Sequence, residues 1–112
     1  MNVEALTDKS DEAAAVLAML SNAYRLRILC ELHSGERSVS QLEDIVGLSQ
    51  SALSQHLAKL RGCGILKTRR EAQTVYYSIL DDRVGRLLTV LVQLFCVEGA
   101  PPERTWAIRT GR

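Results

Sequence analysis

Apolar side chains recur at helical spacing through most of the chain and predict a series of short helices. Between residues 49 and 61, Leu53, Leu57 and Leu60 recur at i, i+4 and i+7, which places them on one side of a helix. The opposite side carries short polar groups over its first two turns and becomes cationic at its end. This segment therefore predicts a helix with one buried face and one exposed polar face.

Three helices are predicted before this point, and the first two each have a recognisable start. We expect residues 1–9 to form a flexible N-terminus, because they show no strong periodicity. Ser10 or Asp11 is placed to cap the first helix. Asn22 is placed to cap the second, which Gly35 ends and which carries Cys30 within it.

A capping box predicts a third, short helix. Ser38 can accept from the amide of Gln41, whose side chain reaches back to the amide of the cap. Gly47 ends this helix, and Ser49 caps the polar-faced helix that follows. The buried side is predicted to consist of Leu42, Ile45 and Val46. Two short amphipathic helices joined by a turn of about three or four residues are typical of a helix-turn-helix.

The spacing of apolar residues changes after Gly62 and Gly64. Residues 65–70 and 74–79 alternate as strands do, and residues 71–73 form the tip between them. The hairpin carries Lys67, Arg69 and Arg70, so in this position it predicts the wing of a winged helix-turn-helix. The alternative is an ordinary hairpin whose cationic edge is merely solvated.

The last predicted helix begins at Asp81 or Asp82 and is apolar around more than half of its circumference. In a chain this short, the second surface it needs is predicted to be a copy of itself, although burial within one monomer remains an alternative. The fold class is therefore mainly α with a β-hairpin, a winged helix-turn-helix in a symmetric homodimer. Its domain is predicted to span 10–97, with an irregular tail over 98–112.

Composition places the chain in one class of protein. Its 112 residues, 46% of them hydrophobic, suit one domain. The absence of a long apolar run or a signal-peptide pattern predicts a cytoplasmic protein that does not enter a membrane. Three cysteines without a CxxC pair are expected to be thiols in that compartment.

The charge is unevenly distributed, although the whole chain has a net charge of +1. Residues 1–48 carry four basic and eight acidic side chains, residues 49–79 carry five and one, and residues 80–112 carry five and four. The middle segment is therefore strongly basic, as expected of a module that docks one face on a polyanion such as double-stranded DNA. By charge alone, a basic face that is merely solvated fits equally well. Hydroxyls and carboxamides suit base edges, and cations suit phosphates. The predicted DNA-binding residues are Gln50, Ser51, Ser54, Gln55, His56, Lys59, Arg61, Lys67, Arg69, Arg70 and Gln73.

These elements and their motifs resemble the ArsR/SmtB family of bacterial repressors over roughly residues 12–97. The resemblance depends most on Ala-Tyr-Arg-Leu-Arg-Ile-Leu, starting at Ala23, and on Leu-Ser-Gln-His-Leu, starting at Leu53. It implies a dimeric winged helix-turn-helix that binds an inverted-repeat operator and leaves it when an inducer arrives. It also implies that His56 belongs to the DNA-reading helix. The spacing of His56 from Leu53 fits a half-buried supporting histidine equally well.

The cysteines indicate the inducer. Residues 38–46 contain no cysteine and residues 83–96 contain no histidine or acid, so the usual metal sites of that family are not expected. Cys30 and Cys96 resemble the dithiol pair of the branch that includes BigR, HlyU and SqrR, which implies a small sulfur or oxidant inducer such as a persulfide. Arsenite or a soft metal, or two inert cysteines, remain alternatives. We assign Cys63 no role.

Other classes of protein are less well supported by the sequence. A winged-helix module that binds a protein instead of DNA remains possible from the pattern alone. No pair of acid-base residues accompanies a cysteine, and there is no cofactor loop or phosphate-binding glycine pattern. We therefore predict no enzyme, no catalytic residues, no metal and no cofactor.

Overall fold

The structure, a computed structural model, describes residues 1–96 and contains six helices and three strands over that range. A three-stranded antiparallel sheet in the order β1-β3-β2 packs beside the helices, and β2 and β3 form the predicted wing. The predicted tail over 98–112 lies outside the described residues. The elements are α1 (Val3–Asp8), α2 (Ser10–Leu20), α3 (Ala23–His33), β1 (Arg37–Ser38), α4 (Val39–Val46), α5 (Gln50–Gly62), β2 (Leu66–Glu71), β3 (Thr74–Ile79) and α6 (Asp82–Phe95).

Side chains cap the N-termini of α3, α4 and α5 as predicted. The Oδ1 atom of Asn22 accepts hydrogen bonds of 2.9 and 3.1 Å from the amides two and three residues later. The Oγ atom of Ser49 accepts one of 3.2 Å. In the capping box, the amide of Gln41 donates to Ser38 Oγ, and the amide of Ser38 donates to Gln41 Oε1 at 2.8 Å. Gly47 ends α4 in the left-handed conformation, at φ 78°. The residues from which the helix-turn-helix was predicted therefore form the ends of its helices.

The N-terminus contains a helix that the sequence does not predict, since α1 occupies most of residues 1–9, which are predicted to be flexible. Asn2 caps it by accepting a 2.9 Å hydrogen bond from the amide of Ala5. Ser10 does not cap α2; its hydroxyl donates back to the carbonyl of Thr7 at 2.6 Å. The residue before α2 is Lys9, which makes no side-chain cap. Local hydrogen bonds therefore give this segment a helical turn that its weak periodicity does not reveal.

Helices α2 and α3 meet at a sharp corner, with a bend of 92°. Arg25 stabilises the corner, since its Nε donates to the carbonyl of Met19 at 2.6 Å and its guanidinium also bonds the carbonyl of Ala18. Among the described residues, no single helix is long and apolar enough to cross a membrane. Only α2 and α3 taken together, as a bent pair, pass that test of length and composition.

The core lies where α3, α4, α5 and α6 meet the sheet. Leu53, Leu57 and Leu60 are buried as predicted. Ile45 was wrongly predicted to be buried, because half of it is exposed. From α4, Leu42 and Val46 are buried in the core and the partly buried Val39 packs against it. The other buried members are Leu20, Ile28, Leu29, Leu32, Ile65, Leu66, Val84 and Leu88.

The sheet contains one strand that the sequence does not predict. β1 pairs with the central strand β3, and β3 pairs with β2 from Leu66 opposite Ile79 to Glu71 opposite Thr74. The tip is therefore shorter than expected, because Glu71 belongs to the strand. Ala72 turns the chain at φ 55°, a left-handed conformation that favours glycine.

Replacing Asp81 by alanine is expected to destabilise the protein by about 1 kcal/mol, the usual cost of losing a helix N-cap. Asp81 Oδ1 accepts from the amide and Nε of Arg83, each at 3.0 Å. These hydrogen bonds hold the pKa of Asp81 below its ordinary value of 3.8. The stabilisation is therefore present above pH 3.8 and is lost as the pH falls through the lower folded-state pKa.

The measurement is urea unfolding at fixed chain concentration, at neutral pH and at a series of acidic pH values. Asp82→Ala is the matched control, because it removes a carboxylate from the same helical turn without removing the cap, and it should cost only a few tenths of a kcal/mol. An equal loss in both variants would contradict the capping role of Asp81.

Candidate DNA interface and cysteine pair

Helix α5 exposes the polar side that the sequence predicts for DNA reading. Its apolar side is fixed by burial of the three leucines, and these hold the opposite face toward solvent. Lys59 and Arg61 lie in its last turn, where cations also interact favourably with the helix dipole. The exposed residues are Gln50, Ser51, Ser54, Gln55, Lys59 and Arg61. The structure places them all at the surface, and their contacts with bases and phosphates stay predictions.

His56 lies at the margin of that surface. Its ring centroid is 6.3 Å from that of Tyr24 in α3, and its Nδ1 is buried without a hydrogen-bond partner in the described part of the chain. Burial lowers the pKa of His56, and the positive charges of Arg25 and Lys59 lower it further. The lowered pKa favours the neutral imidazole, whose ring lies beside that of Tyr24.

The wing carries its cations in two different environments. Lys67 and Arg70 are exposed, and neither forms an ion pair within the described range, while Gln73 is exposed at the tip. Arg69 instead bonds two carboxylates, Glu36 and Glu71. The sequence does not distinguish Arg69 from Lys67 and Arg70, because its main partner, Glu36, lies 33 positions away.

Cys30 and Cys96 line one cavity between α3 and α6. Its volume is about 350 Å³, and apart from the two thiols its lining is apolar: Leu26, Leu88, Leu91, Val92 and Phe95. Partial burial against the cavity raises the pKa of the Cys30 thiol, and the nearby charges of Cys96 and Glu31 raise it further. The fold thus brings together two cysteines that are far apart in sequence.

Cys63 lies apart from this cavity. It ends α5, where its Sγ lies 3.4 Å from the carbonyl oxygen of Leu60. It lines a smaller pocket beside α2 instead. Over residues 1–96, no group of three or more His, Cys, Asp or Glu side chains is arranged to hold a metal ion.

Helices α1, α2 and α6 expose apolar side chains on one side of the molecule, which we call the apolar face. Leu6, Leu17, Val90 and Leu94 are each between 47% and 64% exposed. A groove of about 490 Å³ runs between these helices. Within residues 1–96, α6 is thus only partly covered, as its composition predicts.

Known proteins share both the sequence and the fold. Residues 23–68 match the description "Bacterial regulatory protein, arsR family". The transcriptional activator HlyU of Vibrio cholerae is 44% identical over 96 residues, covering 86% of this chain and 89% of HlyU. A structure described as reduced HlyU from Vibrio cholerae has a TM-score of 0.78 at 42% identity, covering 84% of this chain and 99% of that one.

A second solved structure extends the comparison. The transcriptional repressor BigR from Xylella fastidiosa has a TM-score of 0.83 at 36% identity, covering 88% of this chain and all of BigR. HlyU and BigR are transcriptional regulators. Their family consists of DNA-binding regulators and not of enzymes. Identity and coverage of this extent show that the chain belongs to the ArsR family of bacterial regulatory proteins.

Proposed function

We propose that the protein is a homodimeric repressor that leaves an inverted-repeat operator when Cys30 and Cys96 react with a persulfide or an oxidant. The observation that carries this proposal is the shared cavity of the two thiols. The chain is similar to both an activator and a repressor, so repression is part of what we propose. DNA is held by α5 and the wing, and the apolar face joins two copies.

The chemistry requires a thiolate and a sulfane sulfur. One cysteine thiolate attacks the terminal sulfur of a hydropersulfide, forming a new sulfur-sulfur bond and releasing a thiolate that takes up a proton. The second cysteine, as a thiolate, then attacks the first sulfur and expels hydrosulfide. Two protein thiols are oxidised to a disulfide, and the sulfane sulfur is reduced. Because the pKa of Cys30 is raised, the reaction is expected to accelerate as the pH rises.

The position of the cysteine pair supports coupling to DNA binding. Helix α3 packs against α2, α4, α6 and β3, so it contacts both the helix-turn-helix and the wing. A bond between Cys30 and Cys96 would tie α3 to α6, the helix that carries part of the apolar face. A coupling of about 1–3 kcal/mol is enough to change operator affinity by one or two orders of magnitude.

Intact-mass spectrometry tests this chemistry directly. After treatment with a persulfide donor, the protein is expected to lose two hydrogen atoms through a disulfide, or to lose them and gain whole sulfur atoms through a polysulfide link. Proteolysis should then yield a Cys30 peptide linked to a Cys96 peptide. Cys63→Ser should give the same product, because Cys63 lies outside the cavity. A product confined to Cys63 would contradict the proposal. Retention of arsenite without linkage would favour the soft-ion alternative.

A further inference from the structure

Arg69 crosses the outer face of the sheet instead of projecting from its edge. It lies on β2 opposite Tyr76 of the central strand, and its guanidinium carbon is 4.7 Å from the centroid of the Tyr76 ring. Beyond the central strand, its Nε lies 3.0 and 3.1 Å from the two carboxylate oxygens of Glu36, which precedes β1. One side chain therefore connects the two edge strands across the middle one.

The hydrogen bonds on Arg69 leave it poorly placed to bind DNA phosphate. A second guanidinium nitrogen donates to Glu36 at 2.5 Å, and the third donates to Glu71 at 3.1 Å. Two carboxylates around one guanidinium give this group a net negative charge. A phosphate that approached Arg69 would meet both carboxylates, whereas Lys67 and Arg70 carry no ion pair within the described residues.

We propose that Arg69 is a positioning residue for DNA binding, which sets the wing relative to the body through Glu36 and Tyr76, and that the wing's phosphate contacts come from Lys67 and Arg70. Forked bonds to a carboxylate and a guanidinium stacked on a ring both restrict orientation. The hydrogen bonds from Arg69 also lower the pKa of the Glu36 carboxyl, so the pair persists at neutral pH. This inference rests on DNA binding by the family and not on the cysteine switch.

Salt dependence separates positioning from phosphate contact. The probe is a DNA duplex enriched from a random library by the wild-type protein, and its affinity is measured over a range of salt concentrations. Arg70→Gln should reduce the slope of log K against log salt by about 0.9, the value for one lost phosphate contact. Arg69→Gln should leave the slope unchanged and weaken binding about fivefold, the size expected for a forked ion pair.

Two further variants test the geometry of the contact. Glu36→Gln should also weaken binding, and the double variant should bind as Arg69→Gln does, because both changes break one contact. Arg69→Lys keeps the charge but loses the fork, so it should resemble Arg69→Gln. The proposal is overturned if Arg69→Gln reduces the slope as Arg70→Gln does, if Glu36→Gln tightens binding, or if Arg69→Lys binds like the wild type. Failure to enrich any duplex would instead refute DNA binding itself.

Discussion

Cys30→Ser should bind the operator as tightly as the wild-type protein and fail to release it when a persulfide donor is added. For the wild type, affinity is expected to fall about tenfold to a hundredfold, as a coupling of about 1–3 kcal/mol requires. The variant should change by less than about twofold. Serine is close to cysteine in size and Cys30 is exposed beside its cavity, so the substitution removes the reactive sulfur with little change in packing.

The matched variants make the result specific. Cys96→Ser should behave as Cys30→Ser does, and Cys63→Ser should respond as the wild type does, because it leaves the cavity intact. Fluorescence anisotropy with a labelled operator measures the affinities before and after treatment. Normal release by Cys30→Ser would show that the pair is not the switch. If only Cys63→Ser failed to release the operator, the response would depend on Cys63 and the proposal would be wrong.

The local parts of this fold could be predicted because their signals lie within a few residues of one another. Asn22, Ser49 and the box formed by Ser38 and Gln41 all identify helix starts from side chains that bond amides two or three positions away. Gly47 ends α4 in the conformation for which glycine is best suited. Asn2 is a signal of the same kind, since its side chain accepts from the amide of Ala5 at the start of α1.

Contacts between distant segments could not be predicted in this way. β1 contains two residues, too few to show alternation, and it exists only because β3 pairs with it. The bond between Arg69 and Glu36 joins residues 33 positions apart, so the pattern gave no reason to distinguish Arg69 from Arg70. Only the family resemblance predicted that Cys30 and Cys96 lie near one another. The cavity that both residues line is independent evidence for this.

Val90→Glu should separate the proposed homodimer and weaken operator binding by about a hundredfold or more. Val90 and Leu94 follow Leu87 by three and seven positions on α6, so all three lie on the side of the helix beside the groove. A carboxylate placed there would be buried without a partner in the dimer. A monomer can occupy only one half-site, and it loses the avidity of about 100- to 10,000-fold that two linked sites provide.

Gln93→Glu controls for the added charge, because it places the same carboxylate on the polar side of the same helix. It should remain dimeric and lose little affinity. Sedimentation measures the state of association, and anisotropy measures binding to a full operator and to a single half-site. Val90→Glu should bind both DNAs with similar, weak affinity, since each offers a monomer one site. A monomeric Val90→Glu protein that still binds the full operator tightly would show that the recognition helices do not act as a pair. In that case, a bond between Cys30 and Cys96 could not release DNA by changing the distance between two recognition helices.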